Sequence, residues 1–196
     1  MRRKRGKYEA LFWGRVDCGG AGDRGDGNRT DNSLKRKGSD FMPQMNKGGK
    51  FIFGESVIHS DGRVQLPPQA ADEYHIASEG KVYLFTGSKI TGGFCVTRQG
   101  LLLPSKLGHI LTETPELLHY EVPDGTFVPY KGRAYCWTAV SAAGEIRLTD
   151  EMMAFLHLEP EIRLLCIRSS DIAFTMGAKG PLLEKRAHFD GIIPMF

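Results

Sequence analysis

The chain has 196 residues, and 41% of them are hydrophobic, an ordinary composition for a globular protein. Its formal net charge of +3 is distributed unevenly. Residues 1–41 hold 11 of the 26 Lys and Arg and 6 of the 23 Asp and Glu, which leaves 15 basic and 17 acidic residues in 42–196. The resulting charge of −2 argues against extensive neutralisation of nucleic-acid phosphates by this part, although a local basic patch is compatible with it.

The cysteines and the hydropathy indicate where the protein works. The four cysteines form no CxxC pair and have no His at metal-ligand spacing: Cys18, Cys95, Cys136 and Cys166. The last three lie in apolar runs, which is typical of buried free thiols in a reducing compartment. No apolar run approaches about 18 residues, and no signal-peptide core follows the basic start. We predict a soluble cytoplasmic protein with no membrane partner, no metal and no cofactor.

Residues 1–45 are rich in Arg, Lys, Gly, Asp and Asn. Such a segment buries too little apolar surface to offset its ordering entropy, so we predict a disordered basic tail. An alternative is a misassigned start, with Met42 or Met45 as the true beginning. The basic run at residues 2–5 is also compatible with a nucleic-acid arm, but basic runs are weak signals on their own.

A first β-rich unit is predicted at residues 46–103. Val64 and Leu66 alternate with Arg63 and Gln65, which is the period of a half-buried strand. Turn residues, prolines and runs of β-branched or aromatic residues on either side predict the other elements of the unit. In chain order these are a strand at Phe51–Ile58, a turn at 60–62, a helix from Pro67-Pro68, and a hairpin of Lys81–Thr86 with Ile90 or Phe94 to Thr97.

Residues 104–132 are predicted to form a helical linker, with short helices at Ser105–Leu111 and Pro115–Tyr120 before a turn at 123–125. Residues 133–196 then repeat the first unit and add a C-terminal helix. Gly144 aligns with Gly62 at an offset of 82, and the register holds for 29 residues. Thr149 is placed to cap the helix of this copy. Its other predicted elements are strands at Ala134–Val140, Arg163–Ile167 and Ile172–Met176 and a helix at Pro181–Phe189.

Each unit has the order strand, strand, helix, strand, strand. A unit of roughly 50 residues buries too little surface to be stable alone, so the two copies are expected to complete one core. The predicted fold class is therefore mainly β with short helices, as two tandem ββαββ repeats that form one intramolecular barrel.

The first unit resembles a known family. The string Gly62-Arg63-Val64-Gln65-Leu66-Pro67, followed by a short helix, Ile76 and Glu79-Gly80-Lys81-Val82, resembles the AbrB/MazE/SpoVT swapped-hairpin family. The tandem arrangement is similar to its MraZ branch. The resemblance covers residues 50–103 well and 133–183 more loosely, and it implies a swapped-hairpin (AbrB-like) barrel that binds DNA as a transcriptional regulator. DNA-binding members usually carry Arg or Lys on the helix after the Pro, where this chain has Ala71-Asp72 and Met153-Ala154.

Four basic residues at the predicted strands are the candidate contacts to double-stranded DNA: Arg63, Arg147, Lys50 and Arg133. The alternative is that they are ordinary solvent-facing strand residues. The two copies differ in charge, since Glu145 stands where the first copy has Arg63, so we expect one copy, the first, to contact DNA more than the other.

No group of residues matches a known catalytic motif, so no enzymatic activity is predicted. The rival hypothesis is a barrel without DNA contacts that serves as a protein-interaction or ligand-sensing module. The sequence leaves open whether the chain forms a homo-oligomer.

Overall fold

The computed structural model describes residues 50–189 and 191–196. The predictions for residues 1–45 therefore lie outside the described residues. The strands of the described part are β1 (Ile52–Val57), β2 (Arg63–Gln65), β3 (Lys81–Thr86), β4 (Phe94–Thr97), β5 (Val128–Tyr130), β6 (Arg133–Ala139), β7 (Glu145–Arg147), β8 (Arg163–Arg168) and β9 (Phe174–Gly177). Its α-helices are α1 (Pro68–Glu73), α2 (Gln99–Leu102), α3 (His109–Glu113), α4 (Pro115–Leu118), α5 (Asp150–Leu156) and α6 (Pro181–Ala187), and a 3₁₀ turn spans Ile76–Glu79.

Seven of these strands form one antiparallel sheet in the order β1-β8-β9-β4-β3-β6-β5. The remaining two, β2 and β7, pair with each other as a short antiparallel ribbon, and Ile146 of β7 also bridges to Val140, just after β6. The prediction of a mainly β fold with short helices is confirmed.

The sheet is open, and the predicted closed barrel is wrong in this respect. Its edges are β1 and β5, which do not pair with each other. The reason is that the chain turns sharply after β1 and after β6, so that β2 and β7 leave the sheet and satisfy each other's hydrogen bonds. They cover one face of the sheet instead of continuing around it.

The sheet is covered on both faces. On the first face, Phe53, Phe94 and Phe174 lie in one buried cluster with Leu66 beside the ribbon and Met152 of α5. The second face is covered in two parts. Helices α2, α3 and α4 pack over Tyr83, Phe85 and Tyr135, while α6 packs over β1 and β8 through a separate cluster.

The final residues of the chain lie along β1. The Glu55 amide donates to the Pro194 carbonyl at 2.8 Å, the Phe196 amide donates to the Glu55 carbonyl at 2.8 Å, and Met195 bridges to Glu55 in parallel orientation. The Glu55 side chain is 2% exposed and accepts two hydrogen bonds from Arg186 of α6, at 2.6 and 3.1 Å. Because a buried carboxylate requires a partner, this pair fixes α6 on β1.

The linker differs from its prediction, and a short helix just before it was not predicted. The helix predicted at Ser105–Leu111 begins only at His109, because the Ser105 hydroxyl donates to the Leu102 carbonyl and accepts from the Leu107 amide, which makes a turn. Helix α2 and strand β5 were not predicted. Strand β5 has only three residues, and its central Pro129 argues against a strand.

Hydrogen bonds between the two halves occur in matched pairs at the offset of 82. The Leu66 amide donates to the Gly144 carbonyl at 3.0 Å, and the Leu148 amide donates to the Gly62 carbonyl at 2.9 Å. A second matched pair joins Ile58 to Ile162 at 3.1 Å and Val140 to Gly80 at 3.0 Å. Strand pairing follows the same rule, since β1 pairs with β8 as β6 pairs with β3.

The two aligned glycines give a test of this packing. Gly62 and Gly144 both have positive φ, 79° and 77°, but a Cβ at Gly62 would lie 2.1 Å from the Leu148 carbonyl oxygen. At Gly144 the nearest atom would be 3.4 Å away. We expect Gly144→Ala to lower the free energy of unfolding by about 1–2 kcal/mol. Gly62→Ala should lower it by about 1–3 kcal/mol more than Gly144→Ala does, because the backbone at Leu148 must move to make room for the Cβ. Urea unfolding of both variants measures this, and equal losses would contradict it.

Candidate functional site

The ribbon places two of the predicted DNA contacts opposite each other. Arg63 of β2 and Arg147 of β7 are direct partners in the antiparallel register. Their neighbours Val64 and Ile146 are fully buried or nearly so, and alternation along each strand therefore turns both arginines to solvent. Like charges directly opposite each other repel, so this arrangement requires compensation nearby.

Asp61 supplies most of that compensation. Its carboxylate accepts a hydrogen bond from the Arg63 Nε at 2.6 Å, and its backbone carbonyl accepts one from the Arg147 Nε at 3.1 Å. Hydrogen bonding to the Arg63 side chain and amide holds the pKa of Asp61 below its ordinary value. The Glu145 carboxylate oxygen Oε2 lies 3.9 Å from the Arg63 nitrogen Nη1. The exposed surface of the ribbon thus carries two positive and two negative charges.

The other two predicted contacts lie elsewhere. Lys50 precedes β1 and Arg133 begins β6, and both line one cavity that the ribbon does not touch. Arg133 lies on the same side of β6 as Tyr135, whose ring is buried among α2, α3 and α4 on the second face of the sheet. Strand β1 runs between Lys50 and the turn that leads into the ribbon, so Lys50 lies at the opposite end of this strand from the ribbon. The structure brings the four predicted residues together as two pairs and not as one patch.

The cavity has a volume of about 310 Å³ and lies over the β4–β9 pair. Its buried lining includes Phe85, Cys95 and Thr175, and Cys95 faces Thr175 across the strand register. The guanidinium carbon of Arg133 lies 5.3 Å from the centre of the Phe85 ring. The remaining polar lining consists of hydroxyl groups on the β3–β4 and β8–β9 turns: Ser88, Thr91, Ser169 and Ser170.

The hydroxyl groups are linked in two sets. The Thr175 hydroxyl is hydrogen-bonded to the Cys95 thiol, at 3.2 Å, and to the Ser169 hydroxyl. The Ser88 and Thr91 hydroxyls share a hydrogen bond of 2.9 Å. Since two hydroxyl groups carry two hydrogens and one bond uses one of them, the second set retains a donor.

The predicted burial of three thiols is confirmed. Cys95, Cys136 and Cys166 are free and buried, whereas Cys18 lies outside the described residues. Burial raises the pKa of all three thiols. At Cys95 the hydroxyl of Thr175 and the charges of Arg133 and Lys50 act on the pKa in the opposite direction.

In residues 50–189 and 191–196, no group of three or more His, Cys, Asp and Glu is placed to hold a metal ion. No helix of the described part is long and apolar enough to cross a membrane.

Neither a protein-family model nor a curated protein sequence matches the chain.

The cavity was not predicted from the sequence. The available signals were Lys50 and Arg133 at the start of equivalent strands and Ser88 and Ser170 at equivalent hairpin turns. These residues form one cavity only because β4 pairs with β9, which brings the two turns together. No local sequence pattern specifies that pairing.

The buried thiols generate a prediction for pH. Their folded-state pKa values lie above that of an unfolded Cys, about 8.5, so the stability that they contribute is fully present below about pH 8.5 and is lost as pH rises above it. We expect the free energy of unfolding to fall between pH 8 and pH 9.5, with a limiting slope of about 1.4 kcal/mol per pH unit for each thiol. Urea unfolding across this range measures it.

Cys166→Ala is the matched variant. It lowers stability at every pH because it removes a buried side chain, but its curve should be flatter above pH 8.5. A curve parallel to that of the wild type would contradict the prediction.

Proposed function

We propose that this chain is a DNA-binding transcriptional regulator that contacts double-stranded DNA through the β2–β7 ribbon. The observation that carries the proposal is the placement of Arg63 opposite Arg147 on the exposed side of that ribbon. A two-stranded antiparallel ribbon fits the major groove, and Arg is the commonest side chain for contacts to guanine and phosphate. The proposal involves no chemical step.

The finer architecture that we infer is a tandem repeat of one ββαββ unit whose copies exchange strands, as in the swapped-hairpin family. The matched hydrogen bonds of Leu66 with Gly144 and of Leu148 with Gly62 support it. His75 and His157, at equivalent positions after α1 and within the cap of α5, support it as well, since both adopt a left-handed backbone. In such an arrangement the ribbon lies where the two copies meet.

The number of arginines limits the expected affinity. Two phosphate contacts give a slope of about −2 in a plot of log affinity against log salt, far less than an extensive DNA interface. The acids beside the arginines reduce the affinity further, because Asp61 and a DNA phosphate compete for Arg63. Arg63 interacts with two carboxylates, whereas the Arg147 Nε is bonded to a carbonyl, so the second copy retains the more available terminal nitrogens. The proposal therefore departs from the expectation that the first copy contacts DNA more.

Salt-titrated binding to a mixed-sequence duplex tests the proposal. In the full chain, Arg63→Gln and Arg147→Gln should each lower the magnitude of the salt slope by about 1, since each removes one phosphate contact. Lys89→Gln is the matched control, because it removes an exposed positive charge on the β3–β4 turn, away from the ribbon. The basic segment 1–41 contributes equally to all variants. Indistinguishable slopes for the ribbon variants and the control would contradict the proposal.

Removing the competing acid should have the opposite effect. Asp61→Asn releases Arg63 from its shortest ion pair and should strengthen duplex binding by up to about fivefold, in keeping with the small energy of an exposed pair. Glu184→Gln, an exposed acid on α6, is the control for the change in net charge. An equal gain in both variants would show that only overall charge matters.

A second function is favoured by the charge compensation itself. An exposed ribbon whose four charges already balance, beside helices α1 and α5 that carry no Lys or Arg, also fits a module that interacts with a protein or senses a ligand without binding DNA. The same titration separates the two, since this function predicts that no ribbon variant alters duplex binding.

A further inference from the structure

The cavity over the β4–β9 pair differs from the ribbon in its charge balance. Lys50 and Arg133 line it, and no Asp or Glu is among its described lining residues. The ion pairs found in the described part of the chain join other residues. Two cations at the mouth of a concavity without a neighbouring acid favour an anion there.

The walls add uncharged donors to the two cations. The Ser88 and Thr91 hydroxyls lie on one turn and the Ser170 hydroxyl on the other, so that hydroxyl groups of two different turns line the space. A tetrahedral anion accepts hydrogen bonds from several directions at once, whereas a carboxylate accepts them close to one plane. Arg with Lys and hydroxyl groups is a combination typical of phosphate recognition.

We propose that this cavity binds a small phosphate-bearing ligand, whose phosphate group is held between Lys50 and Arg133 and by the hydroxyl groups of the two hairpin turns. The volume of about 310 Å³ is at the lower end of ligand cavities, which suits inorganic phosphate or a small phosphomonoester. The packing of Arg133 against the Phe85 ring limits the motion of the guanidinium and keeps it at the opening.

The shape of the cavity argues against DNA as the occupant. Its floor includes Cys95, which is 7% exposed, and it lies on the second face of the sheet, whereas the ribbon covers the first. A duplex on the ribbon does not reach it. The inference therefore goes beyond the proposed function and stands whether or not the ribbon binds DNA.

Isothermal titration of the full chain with inorganic phosphate, at ionic strength held constant with chloride, tests the proposal. We expect saturable binding that Arg133→Gln and Lys50→Gln each weaken about tenfold or more, since each loses a charge-assisted contact. Lys89→Gln should bind as the wild type does, because this exposed lysine shares the β3–β4 turn but does not line the cavity. All three changes are at exposed side chains, so folding should be retained.

The position of the ligand is checked by NMR. Phosphate should shift the amide signals of Cys95 and Thr175 in the wild type and not in Arg133→Gln. Absence of saturable binding, or equal binding by Arg133→Gln and Lys89→Gln, would overturn the proposal.

Two further binding measurements identify the source of the phosphate. Tighter binding of glycerol 3-phosphate than of inorganic phosphate supports an organic ligand, and equal binding supports free phosphate. If Arg133→Gln weakens duplex binding while inorganic phosphate does not bind, the cavity residues are a DNA contact and the proposal is wrong.

Discussion

The hydrogen bonds between the two halves of the chain are the constraint on which the rest of the structure depends. Each half supplies one hairpin that pairs within itself, together with one leading strand and one short strand that find partners in the other half. The leading strand β1 finds its partner in β8, and the leading strand β6 finds its partner in β3. Separating the halves would expose both leading strands and the ribbon together, so the fold should form and unfold as one unit.

The local elements could largely be predicted from the sequence, because local chemistry determines them. The alternation at Val64 and Leu66 gives β2, and the Thr149 hydroxyl accepts from the Met152 amide at 3.2 Å, as the pattern predicted for a helix cap. The open sheet could not be predicted, since whether β2 and β7 join the sheet or form a separate ribbon depends on long-range geometry. The helix predicted from Ser105 does not begin there for a local reason. The Ser105 hydroxyl bonds to nearby backbone, and this bond competes with helix formation.

The sequence offered four basic residues as candidate DNA contacts, but it did not show how the fold groups them. All four basic residues lie at strands or next to them, as expected, yet the sheet separates them into two pairs with opposite electrostatic surroundings. Asp61 and Glu145 balance the ribbon pair, whereas the pair at the cavity lies among hydroxyl groups. Net charge over a segment could not reveal this difference, because it depends on which acids lie within a few ångströms of each cation.

The segment that lies along β1 affects how this protein behaves towards other copies of itself. An open sheet has two edges, and an unpaired edge strand is a template for strand addition by another molecule. At one edge, Pro194 and Phe196 already use the hydrogen-bonding groups of Glu55, and at the other, Pro129 cannot donate. Intermolecular β-pairing is thus opposed at both edges by different means, and the protection of β1 depends on the few residues that lie along it.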